Sequence, residues 1–599
     1  MLVADLLFDL PLRHPLSYAV PDGLVLAPGQ RVSAPVQGRA RVGLVLALRD
    51  ADAAGLATVE RTLEPAPVLS PVMLDLGRWA AAESLSAPGS TLSAMLPPVP
   101  RRGSMESVAP PPMPAPAAAP APPELWTDLG REARLAELAA RADGPVLVVA
   151  PDIESAARWA ERLDGGRLDS GAPDAARRAA WFGAGRGRPR VVVGTRSALL
   201  VPLPPPTTLA LLDEGDTAHK PPGAPRLHSR ELLVERARRE GSRLILLAGA
   251  PAVETWHHAR SGTFQWVAPM TGEAAWPEII AADTRGVLRN HPLTLPLTRA
   301  IEEAGRRGRR VALVVSRGAA ALGCDECGEV LRCPDCGVAL GLARTGEPLG
   351  CRICGRREAA PGACPRCGGH RLSPFGWSPE RVEASVRKRF PALTVARAGP
   401  RAARAHAARA QVVIGGAGVL RGLALGSLSA VGFIALDGLL RIPDFRAGER
   451  AFQSLWAAAE AVGGSGRVIV QTLHPEHYAI QAVRQHEPRL FYEPELQFRA
   501  ELGYPPYRRL CLLDVRGKSE EGAQTLIKEC AAALSGIAGI RAYSATSRGT
   551  AAARRPWWRM LVKGPADLPR LLEEPLRPLL ERRRHSPGVV NIEIDPISL

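Results

Sequence analysis

A chain of 599 residues has room for about four domains at roughly 150 residues each. Its 46% hydrophobic and 23% charged composition supplies several ordinary cores, and no uncharged apolar run approaches the ~18 residues of a bilayer span, which excludes a membrane-spanning helix. The formal net charge of +16 favours a polyanionic partner, most simply nucleic acid, although a GC-rich genome also produces an Arg-rich, Ala-rich chain. Asp5 and Asp9 stand where a secretory signal would carry a basic lead, and only Cys511 and Cys530 lie outside one cysteine cluster. The expected compartment is therefore a reducing cytoplasm.

The overall pattern is that of an α/β multidomain protein. Residues 1–96 read as a β-rich module, with short apolar runs such as Val42 to Leu48 separated by turn signals at Pro21-Asp22-Gly23 and Pro28-Gly29. A helical pattern follows from Pro71 to Ala82. Residues 97–123 are dense in proline and alanine, a composition that buries no core and predicts an extended linker. From 124 to 285 helices alternate with short buried strands at Val146–Ala150, Val191–Val193, Leu209–Leu212 and Leu244–Leu247, the signature of a parallel α/β sheet. A second such block occupies 286–480, with strands at Val311–Val315, Val412–Ile414, Val431–Leu436 and Val468–Gln471. Residues 481–599 form a last α/β unit, with strands at Leu510–Val515 and Val590–Ile594.

The second block is interrupted after its first strand by residues 322–372, which hold four C-x-x-C knuckles: Cys324/Cys327, Cys333/Cys336, Cys351/Cys354 and Cys364/Cys367. A two-residue spacer lets both thiolates face one tetrahedral ion, and the glycine after each second cysteine reaches positive φ without strain. Eight thiolates make two closed four-sulfur zinc sites; disulfides, redox thiols and iron–sulfur clusters are the alternatives. The 14 residues between Cys336 and Cys351 are close to the usual ribbon separation of roughly 15–20. The inner knuckles, Cys333, Cys336, Cys351 and Cys354, are thus expected to share one ion, and the outer ones, Cys324, Cys327, Cys364 and Cys367, to hold another. Sequential pairing is the alternative and demands a hairpin across residues 328–332 alone. A four-sulfur shell leaves no open ligand position, so both ions are expected to be structural.

Two parallel α/β blocks followed by an accessory unit is the plan of a helicase motor, and phosphate chemistry is the test. A phosphate loop requires G-x-x-x-x-G-K-[ST], whose backbone N–H groups cradle phosphates while lysine and hydroxyl reach the γ-phosphate and magnesium. The pattern is absent. Gly517-Lys518-Ser519 has Leu512 where the first glycine belongs, and Leu129-Gly130-Arg131-Glu132-Ala133, placed before the first strand of its block, has neither lysine nor hydroxyl in position.

Several stretches occur in the order found in one family. Val193 to Leu199 is similar to a G-T-R-S-A-L motif and Pro225 to Arg230 to P-R-Y-H-A-R-D. Asp437-Gly438, Asp444-Phe445-Arg446, Glu449-Arg450, Leu473 to His477, Pro505-Pro506-Tyr507, Trp558 to Pro565 and Ile594 to Leu599 follow. With the eight-cysteine insertion, they make the chain resemble, over nearly its whole length, the bacterial primosomal replication-restart family (PriA, primosomal protein N′), superfamily-two DNA helicases. The resemblance implies an N-terminal 3′-end DNA-binding module, two RecA-like domains with a zinc-ribbon insertion in the second, and a C-terminal domain binding forks and partners.

The departures concern nucleotide chemistry. The D-E-E-H box reads Asp213-Glu214-Gly215-Asp216, S-A-T-P reads Ala248-Gly249-Ala250-Pro251, and I-G-T-Q-M reads Ile414 to Gly418. Q-V-A-G-R-A-G-R has collapsed into Ala457 to Gly466, without arginine. Losing a phosphate lysine or an arginine finger alone costs on the order of three to five decades in rate, so no useful hydrolysis is expected. Asp213 and Glu214 are the remnant of an ATP/magnesium site or an ordinary acidic strand end. These departures resemble the actinobacterial version of the family, in which the motor is degenerate.

The DNA-facing candidates survive. Thr195 and Arg196 follow a strand, where hydroxyl and guanidinium reach a phosphate or form a plain exit loop. Arg554, Arg555, Trp557, Trp558, Arg559 and Lys563 interleave cations with aromatics as a single-strand-binding surface does, though the tryptophans equally suit a core. Arg306, Arg307, Arg309 and Arg310 read mainly as a solvated helix end. Tyr18 to Gly23 matches a 3′-end-capturing segment, but Leu16-Ser17 replace its Phe-Asp pair, while Arg31, Val32 and Gly38 keep the neighbouring strand pattern. The expected partners, by resemblance, are forked and single-stranded DNA, primosome proteins, the replicative helicase or its loader, and single-stranded DNA-binding protein, with no membrane. The expected function is recognition of abandoned forks and primosome assembly at the nucleoid, without unwinding. An active 3′-to-5′ helicase with a divergent nucleotide site and a general zinc-ribbon DNA adaptor are the alternatives.

Overall fold

The computed structural model describes the chain apart from residues 100–120, 268–274, 286–290, 316–319, 325, 328, 335–339, 343–347, 352–355, 376, 399–408, 422–426, 441, 443, 548–555 and 582–586. Most of the expected Pro/Ala-rich linker lies outside the described residues.

Leu2–Phe8 buries Ala4, Leu6 and Phe8 on one face and Val3 and Leu7 on the other, and it pairs antiparallel with Arg39–Asp50 near the centre of a five-stranded sheet. Arg31–Val36 joins Arg39–Asp50 through Gln37 and Gly38, at φ +52° and +76°. Two consecutive positive φ angles make the tight turn that suits the right-handed twist of a hairpin. Helix Pro71–Glu83 starts on Ser70, whose hydroxyl accepts from Met73 N–H at 3.3 Å, and buries Met73, Leu76 and Ala80.

The first α/β unit is a seven-stranded parallel sheet in the order Gln265–Val267, Glu124–Trp126, Arg243–Leu247, Thr208–Leu211, Val146–Val149, Val191–Gly194, Gly166–Leu168. Central strands such as Val146–Val149 are wholly apolar because helices cover both faces. Glu124–Trp126 is a strand the sequence pattern did not show. It puts Leu129-Gly130-Arg131 after the first strand of the block, not before it, at the turn into helix Arg131–Arg141. The second unit is a six-stranded parallel sheet, ordered Glu278–Asp283, Arg467–Thr472, Ala430–Ile434, Val311–Val315, Val412–Gly415, Val395–Arg397. Glu278–Asp283, read from sequence with the first block, pairs with Arg467–Thr472 and so belongs to the second. A six-residue strand carries no mark of its sheet.

The cysteine-bearing insertion leaves after Val311–Val315 as a small antiparallel sheet, Arg357–Glu358, Leu349–Gly350, Gly341–Leu342, Ala320–Cys324, Leu372–Phe375, and returns at helix Pro379–Arg389. In the last unit Arg509–Gly517 lies between Trp557–Gly564 and Gly588–Ile594, with helices Glu520–Leu534 and Leu568–Glu581 packed around Leu513, Val515, Leu526 and Leu572. Here Gly517-Lys518-Ser519 is a strand end followed by a helix cap: Ser519 Oγ accepts from Gly522 N–H at 3.1 Å.

Candidate metal centre, interdomain crevice and DNA-facing residues

Cys324, Cys327, Cys364 and Cys367 converge, with all four sulfurs within 4.8 Å of one another. Cys324 and Cys367 Sγ are 3.6 Å apart, and Cys327 and Cys364 Sγ 3.7 Å. Metal–sulfur bonds of about 2.3 Å in a tetrahedron require edges of about 3.8 Å, so the donors fit one ion. The two knuckles are built alike. Glu326 N–H and Arg366 N–H each point to the first sulfur of their knuckle at 3.4 Å, an outer-shell bond that orients a thiolate. Gly368 takes φ +71°, the left-handed position expected after a second ligand. Cys333 and Cys351 are buried among Leu322, Leu331, Leu340 and Leu349; Cys336 and Cys354, needed for the inner site, lie outside the described residues.

The carboxyl ends of the first sheet face the second unit across a crevice. Asp213 opens onto it at φ +47°, a left-handed backbone that aspartate tolerates better than most residues. Crowding by protein around its carboxylate pushes its pKa up to about 6, against the pull of Arg131. Glu214 turns inward and is fully buried. It accepts from Arg230 Nη1 at 2.8 Å, Thr255 Oγ1 at 2.8 Å and Ala252 N–H at 2.6 Å, so it ties three segments of its own domain together. Asp216 accepts from Ala218 N–H and pairs with Arg421 of the second unit at 2.8 Å. Arg131, at the strand-to-helix turn, pairs with Glu460 of helix Ala447–Val462 at 2.7 Å. Gln453 from the same helix lies over Gly215, and Tyr492 donates to Pro251 carbonyl at 2.7 Å while its ring stacks on Trp256 at 4.0 Å.

Below the crevice runs a buried network between the units. Glu254 accepts from Arg446 at 2.5 Å, and Arg499 lies 3.4 Å away; Glu449 accepts from Val253 N–H at 2.9 Å and from Arg499 at 2.9 Å. Burial works against Glu254, yet Arg446 and Arg499 hold its pKa well below the carboxylate range. The family motifs flagged Arg446 and Glu449 without a role, and Arg131, Glu254, Glu460 and Arg499 went unnoticed as a set. Arg131 alone offered a signal: a cation in the first turn of a helix opposes the macrodipole and calls for a counter-charge.

The DNA-facing candidates are dispersed. Tyr18 sits in the first module's core against Phe8, its hydroxyl donating to Pro35 carbonyl at 2.8 Å, while Gly38 is exposed at the hairpin turn with open space over it. Arg31 is buried, bonded to Glu64 and to Pro97 carbonyl. Thr195 and Arg196 are half-buried; Arg196 Nη1 holds the Gly223 and Ala224 carbonyls at 3.2 and 3.1 Å, which fixes the loop before Pro225. Trp558 Nε1 donates to Glu520 at 2.8 Å, and Arg559 is paired to Asp514 at 2.7 Å. Lys563 is 8% exposed, its ammonium 3.7 Å from the Tyr504 ring and bonded to Leu502 carbonyl. Arg554 and Arg555 lie outside the described residues. No helix among the described residues is long and apolar enough to cross a membrane.

Residues 5–97 match the model of the 3′DNA-binding domain, and residues 500–597 that of the primosomal protein N C-terminal domain. A replication restart protein of Bacillus subtilis is 30% identical over 347 residues, which cover 54% of this chain and 43% of the relative. One from Synechocystis is 30% identical over 450 residues, covering 69% and 53%. A probable one from Deinococcus radiodurans is 30% identical over 377 residues, covering 60% and 41%. The chain thus spans about half the length of the relatives it matches. Among solved structures, RecG bound to a three-way DNA junction overlays with a TM-score of 0.36 and 9% identity, over 63% of this chain and 46% of that one. Two matched domains flanking a pair of parallel α/β units, with relatives that share one description, have one meaning: the chain belongs to the PriA family of replication restart proteins.

Proposed function

We propose that the chain recognises abandoned or stalled replication forks, nucleates primosome assembly and promotes reloading of the replicative helicase without unwinding DNA itself. The observation that carries the second half is the strand-to-helix turn at Thr127 to Arg131. It has no lysine followed by a hydroxyl residue, the hydroxyl of Thr127 accepts from Trp266 Nε1 at 3.1 Å, and its one cation, Arg131, is committed to Glu460. Arg131 and Arg421 at the crevice are paired with Glu460 and Asp216, so beside Asp213 they do not supply the free charges that phosphoryl transfer needs. The first half is supported by the 3′DNA-binding domain at residues 5–97 and by the net charge of +16.

Zinc is the ion proposed for Cys324, Cys327, Cys364 and Cys367, with Cys333, Cys336, Cys351 and Cys354 holding a second. Closed four-sulfur sites supply folding energy and present a rigid ribbon to a protein partner or single strand, with no catalytic step. Thr195, Arg196, Gly38 and Lys563 are proposed to line the DNA path, and primosome proteins and the helicase loader are the proposed partners.

Two assays test the reading. Forked DNA is expected to outcompete linear duplex of equal length for binding; equal affinity favours a general adaptor. DNA-stimulated ATP hydrolysis is expected to stay at background; turnover that Asp213→Ala abolishes establishes an active helicase instead.

A further inference from the structure

The crevice between the two parallel sheets is filled by a side chain of the protein itself. In an open parallel α/β sheet a ligand lies beyond the carboxyl ends of the strands. Here that space is bounded by Gly130 and Arg131, by Asp213, and by Gly249. Glu460 enters it from the facing unit. Its carboxylate accepts from both terminal nitrogens of Arg131, at 3.0 and 2.7 Å, and from Trp456 Nε1 at 3.2 Å. It also lies so close to Gly249 that a Cβ there would stand 2.1 Å from Oε1. The Arg131 and Glu460 side chains are only 11% and 16% exposed, so the pair is largely shielded from water and salt. A two-pronged guanidinium–carboxylate contact is also the geometry by which an arginine grips a phosphate.

We propose that Glu460 is a built-in anion that takes the crevice in place of a nucleotide phosphate and latches the two α/β units shut with no nucleotide present. This goes beyond lost hydrolysis. A motor stripped only of its catalytic groups keeps an open crevice and two units free to swing; this one is closed by a contact of its own. The Asp216–Arg421 pair at the crevice mouth and the Tyr492–Pro251 bond deeper in act in the same sense. The tandem units then form one rigid frame on which the DNA-binding domains are mounted.

The test is hydrogen exchange on the full-length protein, read at the two crevice walls (residues 127–133 and 249–253, facing 453–462) and at the remote strands Val191–Gly194 and Val412–Gly415. Glu460→Ala is expected to raise exchange at both walls by roughly tenfold or more and to leave the remote strands unchanged. The exchanged pair Arg131→Glu with Glu460→Arg is expected to restore most of the protection. Millimolar ATP with magnesium is expected to change nothing in the unaltered protein. Unchanged wall exchange in Glu460→Ala overturns the proposal, as does protection of residues 127–133 by nucleotide. Should Glu460→Ala loosen the remote strands as well, Gly249→Ala decides, because it displaces the carboxylate without removing a charge; walls that stay closed in that variant also overturn the latch. Fork binding measured on the same samples separates the two readings, since lost fork preference in the unaltered protein leaves the latch untouched.

Discussion

Glu254 shows how a buried charge becomes a fastener between units. Desolvation alone would push its pKa up, but the Arg446 and Arg499 guanidiniums outweigh it and set the pKa below the ordinary carboxylate value of 4.5; Glu449 shifts in the same direction. A depressed carboxylate pKa contributes stability that is complete above about pH 4.5 and is lost as pH falls through the folded-state value. Glu254→Gln leaves Arg446 and Arg499 short of a counter-charge and is expected to cost about 3–5 kcal/mol at pH 7 in urea unfolding. The variant should also lose less stability on acidification below pH 4.5 than the unaltered protein. The four converged cysteines give a second prediction at this scale. Metal analysis is expected to find two zinc ions per chain, and about one in Cys364→Ser, since the outer set loses a ligand while the inner knuckles keep theirs.

Among the elements, two glycines of the first module separate backbone strain from steric exclusion. Gly38 and Gly29 share φ near +80°, but Gly38 faces open space, whereas a Cβ on Gly29 would stand 2.2 Å from Leu69 carbonyl. Gly38→Ala is expected to cost about 1 kcal/mol in thermal unfolding. Gly29→Ala is expected to cost several times as much, because two backbone segments must part. The same contrast between local and distant causes decides what the sequence made legible. Val146–Val149, Val191–Gly194 and Arg243–Leu247 were readable to within a residue or so, since strands buried on both faces are unbroken apolar runs. The convergence of the outer knuckles followed from cysteine spacing, a local property of the chain. Glu124–Trp126 was not readable, being three residues long with an acid at one end, and Glu278–Asp283 did not reveal which sheet it completes. Glu460 was invisible for a related reason: an acid near the end of an alanine-rich helix means nothing until Arg131, 329 residues away, is brought to 2.7 Å.

For the molecule as a whole, charge sets how DNA is held. Many cations are already consumed internally, Arg499 by three carboxylates and Arg509 by Glu83 and Asp595, so the 76 lysines and arginines overstate the number free to meet a phosphate backbone. The logarithm of fork affinity is expected to fall linearly with the logarithm of salt concentration, and the slope, at about 0.9 per phosphate neutralised in duplex, counts the cations that remain. The short stretch Ile592 to Ile597 bears on the order in which this molecule can be put together. Its backbone carbonyls accept from Lys220 and Arg226 of the first α/β unit and from Arg450 of the second, and its Asp595 carboxylate from Arg509. A ribosome delivers these six residues after every partner they clasp. Their clasp on both α/β units can therefore close only after every residue of the Arg131–Glu460 and Glu254–Arg446 contacts has already been made.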